Sequence, residues 1–168
     1  MSEIKPLNIL IVDTGCKFHG GGSTLNHALS QHAAELLKGF GHKVTVTEVD
    51  RDFDPDEESQ LSFAEADSII VQFPGRVDEL PVAVKVDYID EVFMCPAINP
   101  NDGRSRHDHT RLYGTGGTLT GKTYIVEHKA FTEPLQFFEG RGIDGVLFPV
   151  HKALPIYRNA PHHVLYHQ

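Results

Sequence analysis

Asn8-Ile-Leu-Ile-Val-Asp13, followed by a glycine-rich loop over residues 15–22, decides the fold. Four consecutive aliphatic residues, ending in turn formers, predict a short strand buried on both faces. Ser23 stands where a helix N-cap belongs, and Leu25, Leu29, Ala33, Leu36 and Phe40 then recur at helical spacing. Gly39 and Gly41 close that helix, and residues 43–49 form a second, β-branched strand. The opening is therefore a β-α-β unit.

The pattern continues outward. An acidic connection with Pro55 and a short helical stretch around Leu61 lead to a third strand over residues 68–73, which Pro74-Gly75 ends abruptly. Val82, Val86, Ile89 and Phe93 again show helical spacing. Residues 122–128 read as a fourth strand, 134–139 as a helix and 145–150 as a fifth strand. Alternation of this kind implies a parallel sheet with helices on both faces and right-handed crossovers. The expected fold is α/β: one domain spanning residues 1–168, with a doubly wound, five-stranded parallel sheet. Ligands of such sheets bind at the carboxyl ends of the strands beside the switch point, so the loops after Asp13, Phe73 and His128 should line the site. Residues 94–121 form a long connection with little periodicity, and loops of that length are usually functional or mobile.

Composition limits the function. The chain has 168 residues, 40% hydrophobic and 23% charged, the mix of a globular domain. The net charge of −8, without a Lys/Arg block, argues against a nucleic-acid surface. No apolar run approaches the roughly 20 residues that span a bilayer, and the start lacks secretory-signal features. Two cysteines, Cys16 and Cys95, provide no disulfide framework, which makes a reducing cytoplasm the expected location.

A wider set of motifs carries a family resemblance. The resemblance starts at Asn8-Ile-Leu-Ile-Val, Lys17-Phe18-His19 and Leu25-Asn26. It continues through Gln72-Phe-Pro-Gly75, Tyr88-Ile-Asp-Glu-Val-Phe93, Asp102-Gly-Arg-Ser-Arg106, Tyr113-Gly-Thr-Gly-Gly117 and Gly121-Lys-Thr-Tyr124. Ala130-Phe-Thr-Glu133, Gln136-Phe-Phe138, Gly142-Ile-Asp-Gly-Val146 and His151-Lys-Ala153 complete it. Together they resemble the MdaB family, flavodoxin-fold NAD(P)H:quinone oxidoreductases that use FAD and act as homodimers. The resemblance implies a flavodoxin-like sheet in the order 2-1-3-4-5, FAD phosphates on the loop and helix start, and NAD(P)H reducing a quinone or similar aromatic acceptor through the flavin. Carried over residue by residue, cofactor contacts are expected from Phe18, Gly21, Gly22, Ser23, Leu25, Asn26, Pro74, Gly75, Arg76 and Tyr113. Glycines and unsatisfied N–H groups at a helix start suit an anion independently of any resemblance.

The sequence departs from the family pattern at two places. Arg76 and Val77 stand where the family carries a tryptophan pair that builds the flavin-ring pocket. The loop after Val126-Glu-His-Lys129 is shorter, and the chain contains no tryptophan. A second reading follows, a protein that has lost flavin and binds or transforms a small aromatic, quinone-like ligand without a cofactor. Tyr113 and His128 are the candidate catalytic residues. Glu127 and His128 adjoin in the fourth strand and should point to opposite faces, so they are not expected to act as a pair.

Two other chemistries weigh less. Cys16 follows the first strand, where low-molecular-weight phosphatases on a similar sheet place a nucleophile, but the arginine needed six residues later is Gly22 here. His107-Asp108-His109 offers two imidazoles, yet no second cluster has ligand spacing. Solvated loop histidines are the expectation, and no metal is expected.

Overall fold

The structure is a computed structural model describing residues 5–18, 21–74, 88–101, 103–111, 116–119, 121–129 and 162–167. Strand β1 spans Asn8–Asp13, and a small antiparallel ribbon of β2 (Lys17–Phe18) and β3 (Gly21–Gly22) follows it. Helix α1 covers Thr24–Gly39 and leads to β4, Lys43–Glu48. Next come α2 (Pro55–Glu57), a π-helical turn over Glu58–Phe63, β5 (Ser68–Pro74) and α3 (Ile89–Phe93). Strands β6 (Thr123–Lys129) and β7 (His162–His167) complete the described elements.

The main sheet runs β4-β1-β5-β6-β7, with every neighbouring pair parallel. Its first four members reproduce the expected order 2-1-3-4. The fifth strand expected over residues 145–150, like the helix over 134–139, lies outside the described residues. Among the described residues, the neighbour of β6 on the side away from β5 is β7, His162–His167. Val164 and Tyr166 are residues that favour extended backbone.

The two faces of the sheet carry separate cores. Ile9 and Ile11 of β1 pack with Ala34 of α1, with Val44, Val46 and Ile70 alongside. Leu10 and Val12 point the other way, into a larger cluster with Phe63, Ile69, Val71, Phe73, Tyr88, Val92 and Phe93. Period-two alternation along β1 thus feeds α1 on one side and the π-helical turn with α3 on the other.

Helix α1 is turned relative to its apolar stripe. Leu25 is 50% exposed and Phe40 68%, whereas Asn26, Ser30 and Ala34 are buried. Small residues let the helix approach the sheet closely, and Asn26 is held inward by hydrogen bonds. The helix ends where expected: the N–H of His42 bonds the Leu37 carbonyl at 3.1 Å, and Gly41 takes φ of 89°, which a side chain would strain.

The second helical segment is capped by Asp54, whose carboxylate accepts from the N–H groups of Asp56 at 2.9 Å and Glu57 at 3.1 Å. Pro55 occupies the first helical position, where its missing N–H costs nothing.

The long connection is partly pinned. Ile98 and Leu119 are fully buried in the larger core. Thr118 ties them together, its N–H donating to the Ile98 carbonyl at 2.9 Å and its hydroxyl to the Ala97 carbonyl at 2.6 Å. Residues 104 and 106–111 are exposed between these anchors.

Candidate functional site

The carboxyl ends of β1 and β5 meet at Asp13 and Gln72, which are register partners. Alternation turns Asp13 toward α1, and its side chain is 1% exposed. A buried carboxylate is tolerated only if donors surround it. Asp13 Oδ1 accepts from the Gly15 N–H at 2.9 Å and from Asn26 Nδ2 at 2.6 Å. Its Oδ2 lies 3.0 Å from His27 Nδ1, which must be the donor because an ionised carboxylate can only accept.

Gln72 completes the knot. Its carbonyl accepts from the Thr14 N–H at 2.9 Å, from the Thr14 hydroxyl at 3.1 Å and from Asn26 Nδ2 at 3.3 Å. Its Nε2 donates to Asn26 Oδ1 at 3.3 Å. Together Asp13, Thr14, Asn26, His27 and Gln72 fix how the chain leaves β1 and enters α1. Gly15 lies inside this packing, with no room for a side chain. A Cβ there would stand 2.8 Å from Ser23 Cβ and 2.9 Å from His27 Cε1.

Ser23 precedes the helix without capping it through its side chain. Its hydroxyl donates instead to the Cys16 carbonyl at 2.7 Å, closing the loop across the β2–β3 ribbon. The first turn of α1 contains no acidic residue, and its first backbone bond runs from His27 N–H to the Ser23 carbonyl. The phosphate end of a nucleotide cofactor fits such a helix start, where side-chain capping is not supplied and no nearby carboxylate repels from within the turn.

The expected cofactor residues divide into three groups. Phe18, Gly21 and Gly22 lie in the ribbon, and Ser23, Leu25 and Asn26 open α1, so these six share one loop. The side chain of Asn26 is buried between α1 and the sheet, bonding Asp13 and Gln72, whereas Leu25 is half-exposed. Pro74 ends β5. Gly75, Arg76 and Tyr113 lie outside the described residues. His128 is in β6, in register with Phe73 of β5 and Tyr166 of β7, one step past Glu127, which is in register with Gln72. Both positions are toward the carboxyl end of β6.

Sequence reasoning missed Asp13, Thr14, His27 and Gln72 as organisers of the loop. A carboxylate ending an aliphatic strand and a glutamine inside Val71-Gln72-Phe73 were the available signals. Their partners, however, lie 13 to 58 residues away and only the fold reveals them.

The remaining candidates are dispersed. Cys16 is half-buried. His107 and His109 are exposed, and Asp108 between them accepts from the Thr110 hydroxyl at 2.6 Å and N–H at 3.0 Å, which hold its carboxyl below the usual range. Among the described residues no three His, Cys, Asp or Glu side chains gather as metal ligands, and no helix is long and apolar enough to cross a membrane.

A doubly wound parallel sheet whose first strand passes through a glycine-rich loop into a helix defines the flavodoxin-like class. Solved structures share that fold. The general stress protein 14 of Treponema denticola, in complex with FMN, superposes with a TM-score of 0.62 over 97% of this chain and 87% of its own, at 17% identity. A candidate quinone reductase of Klebsiella pneumoniae gives 0.61 over 95% and 75%, at 21% identity. In sequence, the chain is 36% identical over 154 residues to the NADPH:quinone oxidoreductase MdaB of Haemophilus influenzae, covering 87% of this chain and 79% of that protein. No protein-family model matches the chain. The chain belongs to the MdaB family of oxidoreductase enzymes.

Proposed function

We propose that this protein is a flavin-dependent NAD(P)H oxidoreductase that reduces quinones or similar aromatic acceptors by two-electron transfer, with FAD as its flavin. The observation that carries the reading is the start of α1. Ser23 turns its hydroxyl back to Cys16, and the first turn beyond it has neither a side-chain cap nor an acid. Such a helix start favours a phosphate. The flavin, when bound, supplies hydride transfer between nicotinamide and acceptor.

The protein's own work in this reading is binding and orientation. The Asp13–Asn26–Gln72 knot fixes the loop against the sheet, so the amides of Leu25 and Asn26 are held in place before the cofactor arrives. Pre-ordering of this kind lowers the entropy lost on binding. Pro74, Gly75, Arg76 and Tyr113 would line the ring end, with His128 at the end of β6 beside them. We assign the protein to a homodimer, because the family to which it belongs is expected to close its pocket at a two-fold interface.

Incubation with FAD, removal of free flavin and a spectrum test the reading directly. Retained absorbance at about 450 nm, together with quinone-dependent oxidation of NAD(P)H, is expected. Ser23→Glu, which puts a carboxylate at the helix start, should release the flavin. A colourless wild-type protein that still binds small quinols would replace this reading with the flavin-free one. Sedimentation showing only monomer at micromolar concentration would remove the dimer.

A further inference from the structure

The buried Asp13 carboxylate lies directly beneath the loop assigned to an anion. Neutral donors such as the Gly15 N–H and Asn26 Nδ2 satisfy its lone pairs, but they do not cancel its charge. Among the ionisable groups paired with it in the described residues, only His27 can do so. That imidazole is shared: Nδ1 is 3.0 Å from Asp13 Oδ2 at the end of β1, and Nε2 is 4.0 Å from Asp50 Oδ2 in the turn after β4. Helix α1 contributes no acid to its first turn. The cluster therefore carries one net negative charge when His27 is protonated and two when it is neutral.

We propose that Asp13 and His27 are positioning residues that set the charge beneath the cofactor-phosphate loop, His27 drawing the phosphate in and Asp13 limiting how tightly it is held. This rests on the reading above, in which the loop takes the phosphates of a flavin nucleotide. The side chain of His27 is 26% exposed and that of Asp13 1%, so the imidazole stands between the carboxylate and solvent. Both residues also shape the loop, because the Gly15 N–H is held by Asp13 and the imidazole fills the space a Gly15 side chain would need. A staple without electrostatic function would make the same contacts. The two roles separate in sign.

The test titrates the full-length protein at about pH 6, where an imidazole can be protonated, with three probes. Pyrophosphate needs no ring pocket and is followed by the amide signals of Leu25 and Asn26. FAD and riboflavin, which differ in the phosphates, are followed by fluorescence. Asp13→Asn is expected to tighten pyrophosphate and FAD by about three- to tenfold, and His27→Gln to weaken them by about the same factor, as for one unit charge roughly 10 Å away at an effective dielectric of roughly 25 to 50. Riboflavin should change less than about twofold, and added salt should shrink both effects. Asp50→Asn lies at the rim, outside the buried knot, and should tighten the anions by about twofold; it carries the test if Asp13→Asn does not fold. Both substitutions moving affinity in one direction, or riboflavin moving as far as FAD, would overturn the proposal, as would wild-type protein indifferent to pyrophosphate. Opposite signs with pyrophosphate, but no FAD binding, would uphold the charge pair and sink the flavin reading instead.

Discussion

The phenol of Tyr88 donates a hydrogen bond to Glu58 Oε2 at 3.0 Å, joining the start of α3 to the π-helical turn. Thr47 at the end of β4 donates to the same carboxylate, at 3.1 and 3.0 Å to its two oxygens. Three segments far apart in sequence thus meet at one side chain, under Phe53 and Phe63, whose rings approach Tyr88 at 5.0 and 6.1 Å. Burial first, and the Glu58 charge second, raise the Tyr88 pKa well above the ordinary 10.0.

Tyr88→Phe should therefore destabilise the fold by about 1–2 kcal/mol at neutral pH, since a hydrogen bond to a carboxylate is lost without opening a cavity. The pH dependence has a definite sign. A folded-state pKa raised above the unfolded one gives a contribution fully present below about pH 10 and lost as pH climbs from there toward the folded value. Urea unfolding of wild type and variant at neutral and alkaline pH checks this. The gap between them should narrow above about pH 10; a gap that stays constant or widens would contradict the assignment.

Gly15→Ala probes the loop. The new methyl would meet Ser23 Cβ at 2.8 Å, His27 Cε1 at 2.9 Å and Asp13 Oδ1 at 3.0 Å. All three side chains are held by hydrogen bonds, Ser23 to the Cys16 carbonyl and His27 and Asp13 to one another. Overpacking of this kind costs about 1–3 kcal/mol, and the displaced loop should also retain less flavin. Thermal melting and flavin retention measured together decide it. A variant as stable as wild type would show that the loop packs less tightly than described.

Ile98→Ala tests whether the long connection is packed or loose. Ile98 is fully buried in the larger core and its carbonyl accepts from Thr118. Its truncation should lower stability by about 2–5 kcal/mol. His107→Ala, in the exposed middle of the same connection, should change it by less than about 0.5 kcal/mol. Denaturant midpoints of the two variants that coincide would refute this division.

Local sequence determined much of this protein. The run from Asn8 to Asp13 specified the first strand, because four aliphatic residues in a row can be buried only between two layers. Gly41 marked the end of α1, and Pro55 the start of the next helical segment, through backbone constraints that act within a few residues. The parallel sheet followed from the alternation of elements and the handedness of crossovers, and the order of its first four strands from the family resemblance. Family membership was equally legible, since short motifs in one order extend along nearly the whole chain.

Only the tertiary structure decided what those elements bury. The apolar stripe of α1 did not predict its inner face, because Asn26 is drawn inward by Asp13 and Gln72, partners 13 and 46 residues away. The segments that pin residues 94–121 are likewise invisible locally, as Ile98 and Leu119 become neighbours only when the connection folds back. Strand β7 is invisible locally for the same reason: a strand is selected by the neighbour that supplies its hydrogen bonds, and here that neighbour is β6. Periodicity and turn chemistry act over a few residues, whereas the charge and hydrogen-bond partners that shape a site are brought together by the sheet.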